Sequence, residues 1–147
     1  MMSAVDRVHT KTIRAAVGWA ASEAGDGVAY ALLEVPGYRD EIVRVTFQCK
    51  PLGALRGRDV GYAALIAVAA ELHERGARRL RFAVEDERLA GDLTGRLPVP
   101  TPLALPYITL GCALNRFREA TMVASAEPAV RDLSARARAE VFLRAAA

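Results

Sequence analysis

Residues 59–84 read DVGYAALIAVAAELHERGARRLRFAV, and this segment predicts one long helix followed by one short strand. Apolar residues recur at helical spacing through Asp59–Arg75 and form a broad face, which suits a helix that packs flat on a sheet. Gly76 follows in the position that glycine favours after the C-terminus of a helix. Because a helix leads into it, the strand Arg79–Val84 is predicted to pair in parallel.

Three strands are predicted before this helix. Alternating apolar positions with β-branched and aromatic residues mark the strands, and short glycine-containing turns separate them. The predicted strands are Lys11–Ser22, Val28–Val35 and Glu41–Lys50. Since only short turns at Ala24–Gly27 and Pro36-Gly37 connect them, these strands are expected to form an antiparallel meander.

After residue 84 the sequence predicts a short helix, a longer helix, a strand and a final helix. The short helix covers Glu85–Leu93, the strand covers Glu119–Ala124, and the final helix begins at Pro128. The longer helix is predicted from apolar residues that recur at alternating spacings of four and three: Leu103, Tyr107, Leu110, Leu114 and Phe117. The final helix carries one apolar stripe: Val130, Leu133, Ala137 and Val141. The sequence therefore predicts an α/β domain with a five-stranded mixed sheet, three antiparallel strands preceding the parallel ones.

Composition excludes several classes of protein. The chain has 147 residues, 52% of them hydrophobic and 25% charged, so a disordered or low-complexity chain is excluded. This length predicts one domain over residues 1–147, with a core over residues 11–145. No apolar run has the length that spans a bilayer, and the first residues lack the order of a signal peptide, so a cytoplasmic protein without a membrane partner is expected. Cys49 and Cys112 do not have metal-ligand spacing.

Four local strings resemble the ribonuclease H family in their order and spacing. Val60–Ile66 (VGYAALI) resembles the Ala-Glu-Tyr-x-Ala-Leu-Ile signature of the family's first long helix. Phe82–Leu89 (FAVEDERL) is similar to the family's strand, Asp-Ser pair and short helix. Phe117–Val123 resembles its last strand, and Ala126–Ala137 resembles its final helix. The resemblance covers residues 13–145 and implies the ribonuclease H fold.

The resemblance also implies a site in which four acidic residues hold two divalent metal ions. One ion activates the attacking water, and the other stabilises the leaving oxygen of the RNA strand. Carried over by position, the four ligands fall on Gly18, Gly61, Glu85 and Asp132. If the alignment of the final helix shifts by one residue, the fourth ligand falls on Arg131 instead. Hard ions such as Mg²⁺ need carboxylate oxygens, which glycine does not offer. The metal site is therefore expected to be lost, with Mg²⁺ or Mn²⁺ as a cofactor only if the chain is active.

Glu85, Asp86 and Glu87 form the remaining acidic cluster at this implied site. Three acids at the start of a predicted helix are favourable with the helix dipole, and this is the structural interpretation of the cluster. Residual, weak binding of one cation by Glu85 and Asp86 is the alternative. If Gly18 and Gly61 mark vacated ligand positions, replacing them by Asp and Glu is expected to raise the affinity for divalent metals.

The basic residues predict a second kind of site. The net charge is +3, and 18 of the 20 basic residues are arginine, the better bidentate phosphate ligand. GC-rich codons explain the same arginine content without a partner, and a solvated face explains the clustering. The candidate nucleic-acid-binding residues cluster near the two ends of the predicted long helix: Arg56, Arg58, Arg75, Arg78 and Arg79.

Three functions are compatible with these residues. The first is a ribonuclease H-like protein without catalysis that binds nucleic acid, such as an RNA–DNA hybrid, through backbone contacts. The second is a structural or protein-interaction module on the same scaffold, whose emptied cleft accepts a peptide, a small ligand or a second subunit as a homodimer. The third is an active, metal-dependent hybrid nuclease with rearranged carboxylates, in which Glu85 and Asp132 would be catalytic.

Overall fold

The computed structural model describes residues 11–50, 56–95 and 98–146, and it confirms the predicted five-stranded mixed sheet. The strands are β1 (Thr12–Ala21), β2 (Asp26–Glu34), β3 (Glu41–Gln48), β4 (Arg79–Val84) and β5 (Glu119–Ala124). Their order across the sheet is β3-β2-β1-β4-β5. The first three strands pair antiparallel, whereas β4 pairs in parallel with both β1 and β5. The first strand therefore lies at the centre of the sheet.

Four α-helices lie in the described parts of the chain. They are α1 (Arg56–Glu74), α2 (Glu87–Leu93), α3 (Ala104–Leu114) and α4 (Pro128–Ala146), with a short 3₁₀ turn, Thr101–Leu103, before α3. The start of α2 is two residues later than predicted, because the Asp86 side chain accepts hydrogen bonds from the backbone N–H groups of Arg88 and Leu89 and caps the helix. The end of α3 is earlier than predicted, and Phe117 is buried beyond it. None of these helices is long and apolar enough to cross a membrane.

The side chains of β1 alternate between two cores. Ile13 and Val17 point towards the face that carries α1, where they join the main core with Leu65 and Phe82. Ala16 points to the other face. There it packs against the predicted stripe of α4, of which Val130, Leu133 and Ala137 are buried. The sheet is therefore covered by α4 on one face and by α1 on the other.

A charged cluster holds the C-terminal half of α4 against β2 and β3. The Glu140 carboxylate accepts hydrogen bonds from Arg44 Nε at 2.8 Å, from Arg44 Nη2 at 2.7 Å and from the Tyr30 hydroxyl. The guanidinium of Arg136 lies 4.4 Å from the centre of the Tyr30 ring, a cation–π distance. The hydrogen bonds from Arg44 and Tyr30 lower the pKa of Glu140 to about 2, although burial opposes them. Glu140 thus ties α4 to two strands at once.

This cluster predicts a loss of stability in acid. A carboxyl group whose pKa is lower in the folded than in the unfolded chain stabilises the fold above its unfolded value, near 4.5 for Glu140, and loses that contribution as the pH falls towards 2. Glu140→Gln is therefore expected to be less stable than the wild type at neutral pH, and the difference should shrink between about pH 5 and pH 2. Urea unfolding across this range measures it. Exposed Glu74, which has no ion pair among the described residues, supplies the control variant Glu74→Gln, and a constant Glu140→Gln deficit at every pH would contradict the prediction.

Candidate functional site

The carboxyl ends of β1 and β4 lie side by side at the centre of the sheet. Val17 pairs with Val84 in parallel register, so Gly18 and Glu85 are the next residues along two neighbouring strands. Gly61, in the first turns of α1, faces the Trp19 ring from the same end of the sheet. The structure therefore brings Gly18, Gly61 and Glu85 to the same end of the sheet, but Gly18 faces α4 on one side of the sheet and Gly61 belongs to α1 on the other.

Helix α4 covers Gly18 so closely that no side chain fits there. A β-carbon built on Gly18 would lie 2.7 Å from the Cα of Ser134, and closer still to the Ser134 nitrogen and the Leu133 carbonyl carbon. These are backbone atoms, so they cannot rotate away as the end of a side chain can. Glycine lets α4 pack directly on β1, and the helix backbone takes up the space of the first implied metal ligand.

Apolar side chains take up the corresponding space at Gly61. A β-carbon there would lie 2.8 Å from Leu89 Cδ2 and 2.9 Å from Trp19 Cζ2. Trp19 is partly buried and packs against the main core. The indole and the leucine therefore fill the place in which the second implied ligand would stand.

One of the three acids in the acidic cluster is engaged in capping a helix, whereas Glu85 and Glu87 are exposed. Glu85 is exposed after the end of β4, while Asp86 caps α2 and thereby satisfies two backbone N–H groups. A small open cavity of about 260 Å³ adjoins them. Its lining residues are Val17, Trp19, Glu85, Asp86, Ser134 and Arg138.

Asp132 does not reach this cavity. Val130, Leu133 and Ala137 turn towards the sheet, so the α4 residue beside Gly18 is Ser134. Asp132 precedes Ser134 by two residues, about 200° around the helix, and it is exposed. The register of α4 thus differs by two residues from the one that the sequence resemblance implied, and a serine hydroxyl stands where a fourth carboxylate was expected.

No protein-family model matches the sequence, and no curated protein matches it. Solved structures match its fold. The RNase H1 of the halophilic archaeon Halobacterium salinarum NRC-1 superimposes on it with a TM-score of 0.71, over 89% of this chain and 97% of that one, at 16% identity. The chain has the ribonuclease H-like fold. LC11-RNase H1, solved in complex with an RNA/DNA hybrid, has a TM-score of 0.65 at 13% identity and covers 94% of this chain and 100% of its own.

A third ribonuclease H-like structure agrees with these two. The N-terminal RNase H domain of a Mycobacterium tuberculosis protein, solved as a fusion with maltose-binding protein, superimposes with a TM-score of 0.62 at 16% identity. The match covers 92% of this chain and 99% of that domain. The shared order of strands and helices thus extends over almost the full length of each neighbour.

Among the described residues, few of the carboxylates that the resemblance implies stand around the cavity. Two of the implied positions are glycines packed against other atoms, and a serine hydroxyl takes the place of a third carboxylate. Within residues 11–50, 56–95 and 98–146, no three His, Cys, Asp or Glu side chains are grouped to hold a metal ion. A two-metal mechanism requires several carboxylate oxygens around each hard ion. The residues present therefore do not fit such a site.

A buried ionic network lies between α1 and α2, and sequence reasoning missed it. Asp92 accepts a hydrogen bond from the Tyr62 hydroxyl at 2.8 Å and pairs with the guanidinium of Arg58. Only 3% of the Asp92 side chain and 16% of the Arg58 side chain are exposed. Asp92 follows the buried Leu89 by three residues, so its helical position already placed it on the inner face of α2. This network fixes α2 against α1.

The predicted arginines do not form one surface. Arg58 is directed inwards to Asp92, and Arg75 pairs with Glu71 and Glu41, so neither guanidinium is free for a partner. The side chain of Arg56 lies outside the described part of the structure. Arg78 is exposed and Arg79 is partly exposed at the start of β4. They stand roughly 20 Å from Glu85, the length of that strand.

Proposed function

We propose that this protein is a non-catalytic ribonuclease H-like protein that binds nucleic acid through the phosphodiester backbone. The contact between the α4 backbone and Gly18 carries the first half of the proposal, because it leaves no room for a ligand side chain at that position. The donor set at the cavity supports the same conclusion, since it offers one uncapped carboxylate where the family's chemistry needs several.

Two observations support the binding half of the proposal. Several arginines are exposed and have no ion pair among the described residues, and arginine binds phosphate oxygens in a bidentate manner. A structural neighbour, LC11-RNase H1, was solved in complex with an RNA/DNA hybrid. A scaffold that keeps exposed guanidinium groups can hold a nucleic-acid backbone without any metal, because counterion release supplies the free energy.

Titration of a fluorescently labelled RNA–DNA hybrid tests both halves at once. Anisotropy is expected to report binding that weakens about a hundredfold between low and physiological salt, as several phosphate contacts require. In the same samples, no cleavage is expected with Mg²⁺ or Mn²⁺ under conditions in which an active ribonuclease H degrades the hybrid completely.

Two outcomes would contradict the proposal. Turnover that needs Mg²⁺ or Mn²⁺ and disappears in Glu85→Ala would establish the hybrid nuclease with rearranged carboxylates. Absence of binding at low salt would exclude the nucleic-acid role and leave the protein-interaction module, which predicts association that salt does not weaken.

A further inference from the structure

Arginines are concentrated around the starts of β4 and β5. The N–H of Arg118 donates to the carbonyl of Arg78 at 2.8 Å, which joins the two strand starts. From there the strands run in parallel register, with Arg79 beside Glu119 and Arg81 beside Thr121. We call this surface the arginine corner, and its members are Arg78, Arg79, Arg81, Arg116 and Arg118.

The arginine corner is exposed because α4 does not extend over it. Helix α4 packs on β1 and β2, and of the β4 residues on that face only Ala83 is buried beneath the helix. Arg81 is exposed and Arg79 is partly exposed on the uncovered part of the same face. Arg118 directly precedes β5, and its backbone bond to Arg78 places it one strand spacing, ~4.8 Å, from the chain that carries Arg78 and Arg79.

No ion pair compensates the corner guanidinium groups within the described chain, although Arg81 lines a cavity together with Glu34 and Asp40. Five other arginines are paired with carboxylates: Arg14, Arg44, Arg58, Arg75 and Arg144. None of the corner guanidinium groups has such a pair among the described residues, and the carboxylate in register with them is that of Glu119. The corner is therefore a local concentration of positive charge on a chain whose net charge is only +3.

We infer that the arginine corner is the surface that binds the phosphodiester backbone, and that the cavity beside Glu85 is not. The inference rests on the proposed function and adds the location of the contact. Planar guanidinium groups match phosphate oxygens, and the described residues of β4 and β5 present no exposed aromatic ring on which a base could stack. Binding at the corner is therefore independent of base sequence, and the nucleic acid lies at the strand-start end of the sheet.

Two double variants with the same change in charge separate the corner from the cavity. The corner variant is Arg81→Gln with Arg118→Gln, and the control is Arg88→Gln with Arg138→Gln, which removes the exposed Arg138 that lines the cavity and the exposed Arg88, three residues after Glu85. Affinity for a labelled RNA–DNA hybrid is expected to fall roughly thirtyfold in the corner variant and less than about twofold in the control. The slope of log K against log salt should decrease in magnitude by about 1.5 in the corner variant alone. Thermal melting verifies that both variants fold.

The other outcomes each overturn a specific statement. An equal loss in both variants, or a loss confined to the control, would overturn the location while the proposed function stands. Failure of the wild type to bind would overturn the proposed function itself. Displacement of the hybrid by polyglutamate at the same concentration of charge would overturn the assignment to phosphodiesters and indicate an acidic protein as the partner.

Discussion

Gly18→Ala is expected to lower the free energy of unfolding by about 3 kcal/mol or more, at the upper end of what overpacking costs. The added methyl group meets the backbone of Leu133 and Ser134, so α4 must move away from β1 as a unit. For a chain of this length the expected change in the melting temperature is roughly 10 °C. Urea unfolding and thermal melting, both followed by circular dichroism, measure the two quantities.

Gly111→Ala is the matched control for this substitution. Gly111 lies inside α3, and a β-carbon there would meet no atom within 4 Å. Alanine in a helix interior is more favourable than glycine, so this variant should gain about 0.5–1 kcal/mol. A Gly18→Ala variant as stable as the wild type would show that α4 does not close on β1, and the steric basis of the proposed loss of catalysis would fail.

The same contacts reverse an expectation drawn from the sequence. The glycines suggested that Gly18→Asp with Gly61→Glu would raise divalent-metal affinity, but both positions are packed against other atoms. The double variant is now expected to be strongly destabilised and to gain no affinity for Mg²⁺ or Mn²⁺. Isothermal titration with Mn²⁺ would refute this if the variant folds at wild-type stability and binds the ion more tightly.

Asp92→Ala is expected to cost about 3–5 kcal/mol, the range found when one partner of a buried ion pair is removed. The substitution leaves the Arg58 charge and the Tyr62 hydroxyl without their partner in a region that is almost closed to water. Chemical denaturation of the variant and the wild type measures the difference in the free energy of unfolding.

Two further variants distinguish loss of the ion pair from loss of packing. Tyr62→Phe removes only the hydroxyl, and should cost about 1.5–3 kcal/mol, because that hydroxyl bonds a charged group. Asp92→Ala combined with Arg58→Met should be more stable than Asp92→Ala alone, because no unpaired charge remains buried. If the double variant is less stable than Asp92→Ala alone, the unpaired Arg58 charge is not the source of the loss in stability.

The sheet was predictable from the sequence because its strands follow a simple period. The bounds of β4 and β5 agree with the prediction, and the parallel pairing of β4 follows from the helix that precedes it. The start of α2 was placed too early, because Glu85 continues the acidic run of Asp86 and Glu87, and only the side-chain hydrogen bonds of Asp86 show where the helix begins.

The site was harder to predict, because the motif match and the apolar stripe imply different orientations of α4 about its own axis. The apolar stripe through Leu133 and Ala137 predicts that Asp132 faces solvent, whereas the match to the family's pattern predicts that it faces the site. The structure agrees with the apolar stripe, because burying several apolar side chains contributes more free energy than orienting one polar side chain. Sequence spacing alone could not pair Arg58 with Asp92 or Arg75 with Glu41, since each of these partners lies 34 residues away along the chain.

The packing of α4 on Gly18 also limits how this chain could change. A metal site built on the positions that the resemblance implied needs side chains at two glycine positions, a carboxylate at Ser134 and a displaced helix, and the first two additions each clash with present neighbours. Neighbouring changes of this kind are not additive, so each one is disfavoured until the others are in place. No single substitution therefore builds such a site, whereas exposed positions away from this packing can change without disturbing it.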